Sequence, residues 1–103
     1  GGSSPRGFDC SGLVYYVYHT RMGMAVGRDT DALLGSGTRV SQANLQPGDV
    51  LIFANTYKAG PSHAGIYIGG GRFIHAENES TGVVISSLST SYWANHYYSA
   101  VRP

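Results

Sequence analysis

A chain of 103 residues suffices for one domain with a modest core, since at this size roughly 65% of the unfolded chain's surface can be buried, and leaves no room for a second catalytic domain. Apolar residues make up 42%, charged residues only 13%, and there are 15 glycines, a balance that favours strands and turns over long solvated helices. Seven basic against six acidic side chains give a formal charge of +1 with no basic stripe, which argues against nucleic acid as a partner, and no apolar run approaches the roughly 18–20 residues of a membrane span.

Residues Gly1 to Gly7 read as a polar loop. From Cys10 to His19 the apolar positions Leu13, Val14, Val17 and Tyr18 recur at helical spacing. Asp9 can cap the start of this helix, His19 to Arg21 complement the dipole at its end, and Gly23 stops it. A second, short helix is expected over Thr30 to Leu34, ended by Gly35-Ser36-Gly37. Leu45 to Asp49 is a turn feeding Val50-Leu51-Ile52-Phe53-Ala54, a buried strand. After a polar loop, Asn55 to Ser62, the runs His63–Ile68 and Arg72–Ala76 flank Gly69-Gly70-Gly71 as a hairpin. A polar turn, Glu77 to Gly82, precedes a strand over Val83-Val84-Ile85. One helical turn over Ser89 to Ala94 and a closing strand over Tyr97 to Val101 complete an α+β domain with about five antiparallel strands.

Cys10 is the only cysteine, so no disulfide can form within the chain. A free thiol titrates near 8.5, and the dipole at a helix start lowers that by only about one unit. A neighbouring imidazole is needed to make it a nucleophile at neutral pH. Hairpin parity decides which histidines could act together. A three-residue loop at 69–71 pairs Ile68 with Arg72 and puts His63 opposite Glu77, with His75 on the same face at a diagonal distance of about 7 to 8 Å. The even index sum also gathers Ala64, Ile66, Ile68, Ile74 and Ala76 on one face and His63, Gly65, Tyr67, Phe73 and His75 on the other, with open space at Gly65 beside the imidazole of His75. Spacing alone permits either histidine to be the base.

Plainer alternatives exist for each residue. A single cysteine is commonly a buried, inert core residue, and Asp9 is equally suited to act as a cap alone. His19 and His96 are assigned structural positions at a helix end and in a loop. Tyr15, Tyr16 and Tyr18, like Tyr92-Trp93 and Tyr97-Tyr98, are read as packing. A zinc site of one cysteine and two histidines lacks short ligand spacing.

The blocks Gly7-Phe8-Asp9-Cys10-Ser11-Gly12-Leu13-Val14, Leu45-Gln46-Pro47-Gly48-Asp49-Val50, Ser62-His63-Ala64-Gly65-Ile66-Tyr67-Ile68-Gly69 and Phe73-Ile74-His75-Ala76 resemble, in order, the signature blocks of the NlpC-type (NlpC/p60) bacterial cell-wall cysteine peptidases. The resemblance implies a permuted papain-like fold, with an N-terminal nucleophile helix packed on an antiparallel sheet. It implies Cys10 as nucleophile, His63 as general base and His75 as the group that orients it, with Asp9, Ser11 and Ser62 lining the cleft. The implied reaction is hydrolysis of peptidoglycan stem peptides, often at the bond between D-γ-glutamyl and meso-diaminopimelate, with no cofactor and no metal. The implied setting is the envelope or the outside of the cell, as a monomeric catalytic unit within a longer exported protein. Family members carry a tyrosine a few residues upstream of the position of Gly1-Gly2, so residues 1–103 are expected to form a single catalytic domain without its N-terminal segment. Two rivals remain open: an amidase or other acyl-transfer enzyme on the same scaffold, and a non-catalytic module that binds cell wall.

Overall fold

A computed structural model describes residues 13–14, 17–18, 30–78 and 82–103. In chain order these comprise helix α1 (Thr30–Leu34), strand β1 (Thr38–Arg39), a 3-10 turn (Gln42–Asn44), strands β2 (Val50–Ala54), β3 (Pro61–Gly69), β4 (Arg72–Asn78) and β5 (Gly82–Ser87), helix α2 (Ser91–His96) and strand β6 (Tyr97–Arg102). The strands form one antiparallel sheet in the order β1-β6-β2-β3-β4-β5. The sixth strand, beyond the five expected, is β1, whose two residues pair with Arg102 and Val101.

The central strand β2 is buried throughout, because β3 and β6 cover its edges and both of its faces are packed. Its even positions, Val50 and Ile52, join Ala64, Ile66 and Val101 in a cluster with Val14, Tyr18 and Leu33. The odd positions, Leu51 and Phe53, point the other way and pack with Phe73, Ala100 and Trp93. Each fully buried side chain of β2 contributes about 1.5–3 kcal/mol of hydrophobic stabilisation. Leu13, Val14 and Tyr18 are buried and Val17 packs partly against the first cluster, which is the apolar stripe expected for the N-terminal helix. Cys10 and the rest of that expected helix lie outside the described residues, as do Gly1 to Gly7 and Gly23.

The β3–β4 hairpin departs from expectation at its tip. Gly69, not Ile68, pairs with Arg72, and Gly70-Gly71 form a two-residue turn with φ of 63° and 75°. Both values favour glycine, as a tight hairpin turn demands. Ile68 is the extra residue of a bulge, which restores the even index sum further in: Tyr67 faces Phe73 and Ile66 faces Ile74. The expected polar turn after β4 is also shorter than 77–82, since β4 continues to Asn78 and pairs it with Gly82.

Upstream of β2, Asp49 fastens the turn to the end of the sheet. Its buried carboxylate accepts two hydrogen bonds from Arg102, Nε and Nη2 both at 2.8 Å, and a third from the Gln46 amide at 2.8 Å. The Arg102 contact, supported by the Gln46 amide, holds this carboxyl below the usual carboxylate range against the opposing effect of burial.

Candidate active site

The bulge-corrected register sends His63 of β3 and His75 of β4 to the same face of the sheet, the one that carries Phe53, Phe73 and Trp93. His63 Nε2 lies 2.8 Å from His75 Nδ1. The other nitrogen of His75, Nε2, lies 2.8 Å from Ser86 Oγ of β5. Ser86 pairs with Phe73 and is therefore the diagonal neighbour of His75 across the β4–β5 ladder. Both nitrogens of His75 are thus engaged, whereas His63 Nδ1 has no hydrogen-bond partner among the described residues.

Aromatic rings fix the pair. The two imidazoles meet edge to face, with centroids 5.0 Å apart at 90°. Trp93 stacks on His63 at 5.0 Å and 25° and meets His75 edge-on at 4.9 Å, so one indole braces both. Phe73 lies 4.5 Å from His75. Gly65 opposite His75 does not leave the expected open space: a Cβ there would sit 2.9 Å from the Phe73 ring and 3.1 Å from His75 Cβ. The glycine is needed for close packing of these rings.

His75 is fully buried and His63 is 5% exposed. Burial lowers the affinity of both rings for a proton, in His63 with help from the neighbouring His75, and takes each to about 4; Glu77 acts on His75 in the opposite sense. Both rings are accordingly neutral at pH 7, and each then has one donating and one accepting nitrogen. Such a pair can take one proton at His63 and pass the hydrogen-bonding consequence to Ser86.

His63 opens onto a cleft of about 590 Å³ whose walls include Thr56, Tyr57, Glu77, Thr90, Tyr92 and Trp93. Glu77 is the residue expected opposite His63. Tyr57 and Tyr92 are 74% and 47% exposed, and Tyr92 also packs as expected, meeting Trp93 edge-on at 4.8 Å and His96 at 4.4 Å. Ser62 is fully buried, and its Oγ accepts from the Thr56 amide at 3.0 Å and bonds the Thr56 hydroxyl at 2.6 Å. It shapes the cleft through Thr56 and is not itself among the wall residues. His96 ends α2 rather than lying in a loop, and it holds Ala54 O at 2.9 Å, a structural role as expected. Cys10, Asp9, Ser11 and His19 lie outside the described residues.

Ser86 and Trp93 are the partners of the histidine pair that sequence reasoning missed. Ser86 sits in the polar run Ser86-Ser87-Leu88-Ser89, where nothing distinguishes it; only the β4–β5 register singles it out. Trp93 is the single tryptophan of the chain, which was a usable signal for a ring that braces a site. Among the described residues no group of three or more His, Cys, Asp or Glu side chains could hold a metal ion.

A small antiparallel α+β domain with two hydrogen-bonded histidines beside a cleft, downstream of a lone cysteine, defines the class. The chain belongs to the NlpC/P60 family, whose pattern matches residues 1–102. It is 52% identical over 94 residues to gamma-DL-glutamyl hydrolase of Bacillus subtilis, covering 90% of this chain and 22% of that protein. It is 47% identical over 102 residues to the probable peptidoglycan endopeptidase LytE of the same organism, covering 99% of this chain and 29% of that one. The chain therefore spans between a fifth and a third of the length of these two relatives. The crystal structure of an NlpC/P60 family protein from Bacillus cereus superposes with a TM-score of 0.90 at 34% identity, over 98% of this chain and 33% of that chain.

Proposed function

We propose that this chain is the catalytic domain of a peptidoglycan cysteine peptidase that cuts stem peptides at the bond between D-γ-glutamyl and a diamino acid. The observation that carries the proposal is the 2.8 Å contact between His63 Nε2 and His75 Nδ1, with His63 facing the cleft and His75 buried behind it. That asymmetry supports His63 as base and His75 as orienting group, a choice that spacing alone had left open. Membership of the NlpC/P60 family and the likeness to a gamma-DL-glutamyl hydrolase and a probable peptidoglycan endopeptidase support the substrate class.

In the proposed mechanism the Cys10 thiol gives its proton to His63 Nδ1, and the thiolate attacks the γ-carbonyl carbon. His63 Nε2–H donates to His75 Nδ1 throughout, which keeps the accepting lone pair on Nδ1. The imidazolium then protonates the leaving amine as the C–N bond breaks, and a thioester forms on Cys10. Water, deprotonated by His63, hydrolyses the thioester and restores the thiol. Asp9, Ser11 and Ser62 contribute to the substrate cleft, Ser62 by holding Thr56. The order of nucleophile segment before sheet fits a permuted papain-like arrangement. We further propose that residues 1–103 act as one monomeric catalytic unit of a longer exported protein, at the cell envelope or outside it.

The test is digestion of purified peptidoglycan fragments by the protein and by Cys10→Ala, with mass spectrometry of the products. Fragments ending in D-glutamate, released only by the unsubstituted protein, are expected. Equal products from both proteins would sink the proposal. Release of an intact stem peptide free of sugar would assign an amidase instead.

A further inference from the structure

We propose that Ser86 is a positioning residue of this site: its hydroxyl oxygen accepts from His75 Nε2–H and so ends a directed relay that runs from the thiol through both imidazoles. The inference rests on the Cys10-His63-His75 reading and extends it by one residue on β5.

A neutral imidazole donates at one nitrogen and accepts at the other, so the direction of one bond in the chain sets the direction of the next. For His63 Nδ1 to receive the thiol proton it must be bare, and His63 then carries its proton on Nε2 and donates to His75 Nδ1. His75 must in turn carry its proton on Nε2, where the only described partner is Ser86 Oγ at 2.8 Å. His75 is fully buried, so without that oxygen the Nε2–H would be a buried donor with no partner. A hydroxyl also serves the opposite direction, because it can donate as well as accept; the thiol selects the direction and Ser86 makes it affordable at the far end. When His63 becomes an imidazolium, the two bonds behind it polarise in the same sense and share its charge. Among the described residues the groups facing the pair are Phe53 from β2, Phe73 and Glu77 from β4, Ser86 from β5 and Trp93 from α2. Glu77 is the titratable one among them, and it acts equally in every variant below.

The experiment compares the unsubstituted protein, Ser86→Ala, Ser86→Thr and Cys10→Ala on a soluble peptidoglycan fragment, with nitrogen NMR of the histidine rings. At pH 7 both His63 and His75 are expected to carry their protons on Nε2. Ser86→Ala is expected to lower kcat by about three- to tenfold, the scale of one hydrogen bond, with KM little changed. The acid limb of its pH profile should also move to lower pH, because the His63 imidazolium loses the polarised bond that shares its charge. Ser86→Thr, which keeps the oxygen, should restore both. A proton on His75 Nδ1 in the unsubstituted protein would overturn the inference. So would a Ser86→Ala protein with a lower Tm but unaltered kcat and acid limb, since that is the mark of a purely structural contact. Activity in Cys10→Ala would instead remove the triad reading beneath it, an outcome separable from either of these.

Discussion

Acid should destabilise this domain through its buried histidines, and the size of the effect can be worked from the site. His63 is nearly inaccessible, stacked on Trp93 with Phe53 tilted against it at 6.0 Å, and burial holds its pKa at about 4 against an ordinary 6.5. Between those values the unfolded chain binds a proton that the folded protein refuses. Stability is therefore intact above pH 6.5, falls as the pH descends toward 4 and levels off below it. For a shift of that size, linkage removes about 2 kcal/mol between pH 7 and pH 5 on account of His63 alone. His75 acts with the same sign. A domain of this size is stable by only about 5–15 kcal/mol, so the loss is measurable. Urea denaturation at pH 7, 6 and 5, followed by the fluorescence of Trp93, would be run on Cys10→Ala, which keeps the thiolate out of the titration, and on Cys10→Ala/His63→Gln. The first protein should lose more stability than the second by about 2 kcal/mol over that range. Parallel pH dependences for the two would refute the reasoning.

Three further outcomes follow from the packing. Trp93→Ala removes the indole that braces both imidazoles and should cost about 3–5 kcal/mol in urea denaturation, with a fall in kcat larger than any change in KM. Gly65→Ala pushes a methyl against the Phe73 ring, the Ile74 carbonyl and His75 Cβ; destabilisation by about 1–3 kcal/mol is expected, and an unchanged Tm would show that the rings have room to move. Tyr92→Ala strips a half-exposed ring from the cleft wall and reaches the imidazoles only through Trp93, so KM for a peptidoglycan fragment should rise severalfold, by more than kcat falls.

Local chemistry made much of this fold legible. Five apolar residues between turn signals could only be a central strand, and β2 matches residue for residue. Helix α1 likewise matches Thr30–Leu34, because Gly35-Ser36-Gly37 leaves it nowhere to continue. The parity that gathers His63 and His75 was also readable, since one residue of slip would have turned Ala64, Ile66 and Ile74 away from the core. The hairpin tip was not readable, because three successive glycines accept positive φ at any position and do not choose between a longer loop and a bulge at Ile68. Strand β1 was invisible for another reason: two exposed residues carry no alternation, and only the end of β6 recruits them. Ser86 and Trp93 reach the histidines across strands and from a helix, through distances that no spacing in the chain encodes.

The central claim is that His63 activates Cys10, and the rate at which iodoacetamide alkylates Cys10 as a function of pH tests it without any substrate. With His63 in place as a neutral base that takes the thiol proton, alkylation between pH 6 and 7 should run at least about tenfold faster than in His63→Gln, whose rate should rise only toward the ordinary thiol value near 8.5. Superimposable profiles for the two proteins would contradict the account.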